Sequence, residues 1–95
     1  MSARPMTIVQ VVPELETGGA ERTAVDIAAA LVAAGDRAIV VSQGGRLVGE
    51  LEALGGEHVR MPVATKSPVG LYRNALRLAA LGKREGADIL HARSR

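Results

Sequence analysis

The 95-residue chain has no cysteine, no tryptophan, no phenylalanine and a single tyrosine. Without cysteine there are no disulfides, no thiolate nucleophile and no cysteine-bound zinc. Without aromatic rings it lacks the platforms on which unstacked bases settle in single-stranded nucleic-acid binders. Charge of one sign is missing as well: twelve Lys and Arg face ten Asp and Glu, a formal net charge of +2, which gives little reason to expect nucleic acid as a partner. The apolar run nearest the start, Thr7-Ile8-Val9-Gln10-Val11-Val12, is broken by Gln10 and is too brief for a signal-peptide core or a membrane span. These absences fit a cytoplasmic protein. Residues 1–5 read as a loose arm.

What is present is an ordinary globular balance, with 47% hydrophobic and 23% charged residues. A chain of this length forms one domain and buries roughly 60–70% of the surface exposed by its unfolded form. A core is expected, but not a large cleft walled on both sides.

Residues 7–12 are β-branched on both faces, as in a central strand of a parallel sheet covered by helices. Pro13-Glu14-Leu15-Glu16 and Thr17-Gly18-Gly19 follow as a turn. Ala20, Ala24, Ile27, Ala28, Leu31 and Gly35 then keep the three-four spacing of a helical stripe. Residues 37–42 form a second apolar strand, and residues 46–53 a short helix with Leu47, Leu51 and Leu54 on one face. In His58-Val59-Arg60-Met61-Pro62-Val63 only alternate residues are apolar and Pro62 cannot donate to a ladder, so this third strand belongs at an edge. Ser67-Pro68 starts a helix that runs to about Glu85, with Leu71, Ala75, Leu78, Ala79 and Gly82 as its predicted buried face. Asp88-Ile89-Leu90-His91-Ala92 is the fourth strand.

The order βαβαβαβ with short connections predicts a Rossmann-like, three-layer α/β fold in which right-handed crossovers give strand order 3-2-1-4. The reversal then lies between strands 1 and 4. The glycine turn after strand 1 and residues 91–94 after strand 4 therefore flank one crevice at the carboxyl ends of the strands. A glycine turn opening a helix leaves backbone N–H groups free for an anion.

Two common versions of such a turn are ruled out by the residues themselves. Gly18-Gly19 has no third glycine and the second strand ends in Ser42-Gln43 instead of an acid, so no dinucleotide fingerprint is present; nor does a glycine-lysine-serine/threonine sequence follow. His58 and His91 are isolated from supporting acids and do not make a metal site. His58, on the edge strand, reads as an exposed residue.

Gly18-Gly19-Ala20-Glu21-Arg22, the helix end at Gly35-Asp36, and Asp88-Ile89-Leu90-His91-Ala92-Arg93-Ser94 together resemble the opening of a GT-B type retaining glycosyltransferase of the group often called glycosyl transferases group 1 or family 4. The resemblance spans residues 7–94. It implies a two-domain enzyme that moves a sugar from a nucleotide-diphosphate donor to a lipid-linked or saccharide acceptor, as in cell-envelope polysaccharide synthesis, with no separate cofactor. It also implies that residues 1–95 are part of the acceptor-side, amino-terminal domain. The donor contacts, a Glu-x7-Glu pair among them, belong to a second domain. Glu14, Glu16 and Glu21 cannot replace that pair by spacing, so this chain alone is expected to be an inactive fragment.

Residue by residue, the resemblance places Gly18 and Gly19 near the donor phosphate and acceptor, and His91 near the transferred sugar as the candidate catalytic residue. Arg93 and Ser94 lie on the same side of the crevice. Arg73, Arg77 and Arg84 share one side of the third helix, a solvated face or a peripheral contact with anionic lipid. Two readings compete with the transferase: a small stand-alone nucleotide- or phosphate-binding module, and a structural domain that self-associates through an uncovered strand 4 edge.

Overall fold

The computed structural model of the chain describes residues 5–12, 19–61 and 68–92. Seven elements alternate along it: β1 (Thr7–Val11), α1 (Gly19–Ala33), β2 (Arg37–Ser42), α2 (Val48–Ala53), β3 (Glu57–Arg60), α3 (Pro68–Glu85) and β4 (Ile89–Ala92). The four strands form one sheet in the order β3-β2-β1-β4, and every pair is parallel. This is the Rossmann-like α/β arrangement and strand order that the alternating pattern predicts. Of the amino-terminal arm only Pro5 is described, and it is exposed. Pro62 and Ser67 also lie outside the described residues.

The apolar runs of β1 and β2 are explained by what covers them. On one face Val12, Ala38 and Val40 pack under α1 and α2 with Ala24, Val25, Ala28, Leu47 and Leu51. On the other, Val9, Val11, Ile39 and Val41 pack with Met61 and Leu81. Each fully buried aliphatic side chain stabilises the fold by about 1.5–3 kcal/mol, and two such layers in so short a chain are what hold the sheet together. β3 at the margin is half-exposed throughout, as alternate polarity requires.

Helix α3 turns a different face inward from the predicted one. Asn74 and Leu81 are buried and Leu78 is half-buried, whereas Ala75 and Ala79 stand in solvent. Alanine and glycine carry too little side chain to set a helix's rotation. The reach of Leu78 and Leu81 to the sheet sets it instead, and the small residues fall to the side. Helix α2 also begins two residues later than expected, with Leu47 as its flanking residue and no side-chain cap.

The amino end of β1 is clamped from both sides. The Met6 N–H donates to Asp36 Oδ1 at 3.0 Å, and the Thr7 N–H donates to Asp88 Oδ2 at 2.8 Å. The backbone closes both contacts, the Arg37 N–H next to Asp36 donating to Met6 O and the N–H of Asp88 itself to Thr7 O, both at 2.8 Å. Gly35 and Gly86, with φ of 88° and 65°, end α1 and α3 in the left-handed conformation that lets the chain re-enter the sheet two and three residues later.

Next to this clamp Arg37 gathers two acids. Its guanidinium engages Glu57 through Nε at 2.5 Å and Nη2 at 2.8 Å, and Glu85 through Nη2 at 2.6 Å. The hydrogen bonds from Arg37 hold the carboxyls of Glu57 and Glu85 below the usual carboxylate range, and the Arg37 pKa is raised in return. Starts of β2 and β3 and the end of α3 are thereby tied at the amino edge of the sheet.

Candidate functional site

The carboxyl edge of the sheet is built differently. Because α1 returns to the amino edge at its end, where Asp36 meets Met6, its beginning at Gly19 stands over the carboxyl end of β1. The described part of the glycine turn is Gly19, the first helical residue; Gly18 lies outside the described residues, as do Arg93 and Ser94. Strand order reverses between β1 and β4, the place where ligands enter sheets of this topology.

His91 is the third residue of β4 and is exposed. Its register partner is Gln10 of β1, so the two side chains leave the sheet on the same face. That face is the α1 side, because Gln10 Nε2 donates to the carbonyl of Ala24 at 3.1 Å. His91 thus leaves the sheet on the same side as α1, with Gln10 as a neighbour that the motifs did not identify. Gln10 is 1% exposed, and its Oε1 has no partner among the described residues. A buried carbonyl oxygen left in this state costs about 1–3 kcal/mol. The one signal in the sequence was the polar interruption of an otherwise β-branched run.

A second polar group lies at the ends of β2 and β3. Ser42, fully buried, accepts the Gly44 N–H at 3.0 Å and shares a 2.7 Å hydrogen bond with His58 Nε2. His58 is therefore half-buried and partnered, not the exposed residue expected of an edge strand. Burial, with the nearby Arg60 charge adding to it, lowers its pKa against the opposing pull of Glu52. This favours the neutral ring, whose Nε2 donates to or accepts from the Ser42 hydroxyl according to its tautomer. The Arg60 guanidinium lies against Gly44, whose φ is 109°; a Cβ there would sit 2.8 Å from Arg60 Nη2. These groups brace the β2–α2 turn, and Ser42 is too deeply buried to act as a nucleophile.

Arg22, in the first turn of α1, pairs with Glu50 of α2 and with Asp26 at 3.7 Å. The hydrogen bond to Glu50 raises the Arg22 pKa and lowers that of Glu50. Both residues are about half-exposed, so the pair joins the helices at the rim without entering the crevice. No group of three or more His, Cys, Asp or Glu able to hold a metal ion occurs among the described residues.

On α3, Arg73, Arg77 and Arg84 are all exposed, with Arg84 Nε also donating to Glu85 at 3.1 Å. Beside them Val69, Tyr72 and Leu76 are 62%, 67% and 54% exposed. Their spacing of three and four residues puts these apolar side chains in one outward stripe flanked by the arginines. No helix among the described residues is long and apolar enough to cross a membrane.

The whole arrangement recurs in a known structure. The crystal structure of a glycosyltransferase from Rickettsia africae ESF-5 superposes with a TM-score of 0.86 and 39% sequence identity over 98% of this chain, which spans 24% of that protein. No curated protein matches the sequence. The family model of Glycosyltransferase Family 4 matches residues 17–95, from the turn before α1 through β4 and its exit, and the chain belongs to that family.

Proposed function

We propose that these 95 residues form the acceptor-side wall of a transferase cleft. A nucleotide-diphosphate sugar is the donor, and a lipid-linked or saccharide molecule receives the sugar with retention. The observation that carries the proposal is the exposed His91, in register with Gln10 at the strand-order reversal and on the same face as the start of α1. By the family resemblance, Gly18 and Gly19 are the residues proposed to meet the donor phosphate, with Arg93 and Ser94 as further substrate contacts. The chain matches about a quarter of its solved relative. The donor carboxylates that the family implies are not among its acidic residues by spacing, so transfer requires a second domain and the 95 residues alone do not catalyse it.

The test is a protein that joins these residues to a donor-binding domain, assayed with and without His91→Ala. A loss in kcat/KM of roughly a hundredfold with the fold intact is expected from removing a group that orients the reacting sugar. An unchanged rate overturns the role of His91. Submillimolar binding of a nucleoside diphosphate to the 95 residues alone, measured by calorimetry, overturns the assignment of donor recognition to another domain and favours the small nucleotide-binding module.

The outward face of α3 supports a second element of the proposal, peripheral contact with an anionic bilayer at the inner face of the membrane. Three exposed apolar side chains flanked by Arg73, Arg77 and Arg84 have the composition of a helix that lies in the headgroup layer. Co-sedimentation with vesicles containing anionic lipid is expected to fall when the three arginines become alanine; equal binding rejects the contact. The β4 edge, with Ile89 and Leu90 each 45% exposed, favours self-association as the competing use of this side of the molecule. A monomer by light scattering at high concentration rejects that use.

A further inference from the structure

We infer that Gln10 is a positioning residue for His91: its side-chain carbonyl accepts the His91 Nδ1–H and so fixes the imidazole as the tautomer whose Nε2 lone pair faces the crevice. The inference deepens the proposed role of His91 and rests on it, but it is tested without substrate.

The orientation of Gln10 is not arbitrary. Its amide meets the Ala24 carbonyl at 3.1 Å, and a carbonyl can only accept, so the contacting atom is the nitrogen and the oxygen is turned away from α1. That oxygen is buried and has no partner among the described residues, a state that folded proteins rarely leave unmet. Of the side chains that share this face, Val12, Ala24, Val25, Ala28, Ala38 and Val40 are apolar, and the polar Ser42 and His58 are bonded to each other. On the neighbouring strand the residue in register is His91, about 4.8 Å away across the ladder and on the same face. Its ring is exposed and therefore free to turn toward the Gln10 side of the sheet. Nδ1 is the ring nitrogen nearer the backbone, and an Nδ1–H to carbonyl bond is a common means of fixing a histidine.

The chemical consequence is specific. A neutral imidazole has one N–H. With that proton committed to Gln10, Nε2 accepts a hydrogen bond from the crevice and selects a hydroxyl-bearing ligand, such as a sugar. A ligand offering only an acceptor is refused. Gln10 itself, fully enclosed, touches no ligand and acts through His91.

Long-range 1H–15N spectra of the 95-residue chain, labelled at histidine and recorded at about pH 8, above the ordinary imidazole range, test this directly. His91 is expected as the Nδ1–H form, moving toward the Nε2–H form in Gln10→Leu, which puts an apolar side chain of similar size there and removes the acceptor. Gln10→Glu, which keeps an acceptor in place, is expected to retain the Nδ1–H form. A wild-type His91 carrying its proton on Nε2, or a tautomer indifferent to Gln10→Leu, overturns the inference. If Gln10→Leu does not fold, the wild-type spectrum and Gln10→Glu still decide. A transferase unaffected by His91→Ala removes the substrate-facing role while leaving these spectra unchanged, so the two failures are distinguishable.

Discussion

The two ends of the sheet are made from similar materials and put to different uses. At the amino edge, Asp36 and Asp88 accept backbone N–H groups of the strand between them, and Arg37 joins Glu57 and Glu85. These acids and this arginine each have a partner within the fold. At the carboxyl edge, Gln10 Oε1 is buried without a partner among the described residues, and His91 is exposed. Polar groups that are satisfied internally hold a structure together; those left waiting are where a ligand or a neighbouring side chain still has something to complete. In a parallel sheet the second kind belongs at the carboxyl edge, where loops and helix starts gather.

The sharpest way to damage the amino edge is at Gly56, just before β3. A Cβ there would lie 2.5 Å from Leu51 Cδ1 and 3.1 Å from the Leu51 carbonyl oxygen, and Leu51 is fully buried. Gly56→Ala is expected to cost about 2 kcal/mol, read as a lowered urea midpoint with an unchanged slope.

Arg37→Met follows with about 1 kcal/mol, a small effect for three ion contacts because the partners are half-exposed and water screens them. Its pH dependence is more telling. Glu57 and Glu85 have folded-state pKa values lowered by Arg37, so their contribution is full above the ordinary glutamate range near pH 4.5 and is lost as pH falls through the lowered values. Acid unfolding of the wild type is expected to steepen there, and the Arg37→Met curve to be flatter.

His58 gives a smaller effect in another window. Burial and Arg60 lower its pKa, so stability declines as pH drops below about 6.5, the ordinary histidine value, and levels off below the lowered one. His58→Gln is expected to remove this slope in thermal melts recorded from pH 7.5 to 5. Last is the fold of His91→Ala, which loses only the hydrogen bond inferred to Gln10: a change of no more than about 1 kcal/mol beside a large loss of transfer would set the carboxyl edge apart as functional. A loss of stability comparable to that of Gly56→Ala would erase the contrast between the edges.

Much of this architecture is legible in the residues. Near-continuous apolar runs rich in β-branched residues within 7–12 and 37–42 identify central strands, because a sheet buried on both faces needs them. Alternation and Pro62 place the third strand at an edge, and from these the order β3-β2-β1-β4 follows with its reversal beside His91. The double-glycine turn and the Asp88 to Ser94 stretch point to the family that the comparisons show. The rotation of α3 is not legible in the same way, because Leu78 and Leu81 outweigh Ala75 and Ala79 only once there is a sheet at a fixed distance to reach. Nor does local sequence reveal that Asp36 and Asp88 clamp β1, since their partners at Met6 and Thr7 are 30 and 81 residues away.

By itself, then, the sequence determined the elements, their order and the edge at which chemistry belongs, because periodicity and turn residues act locally. Tertiary structure alone decided which polar groups find partners, Ser42 with His58 and Arg37 with two glutamates, and which polar residues stand in register, Gln10 with His91. Those pairings depend on strand register and helix rotation, which are set by packing over the whole sheet and cannot be read from any one segment of the chain.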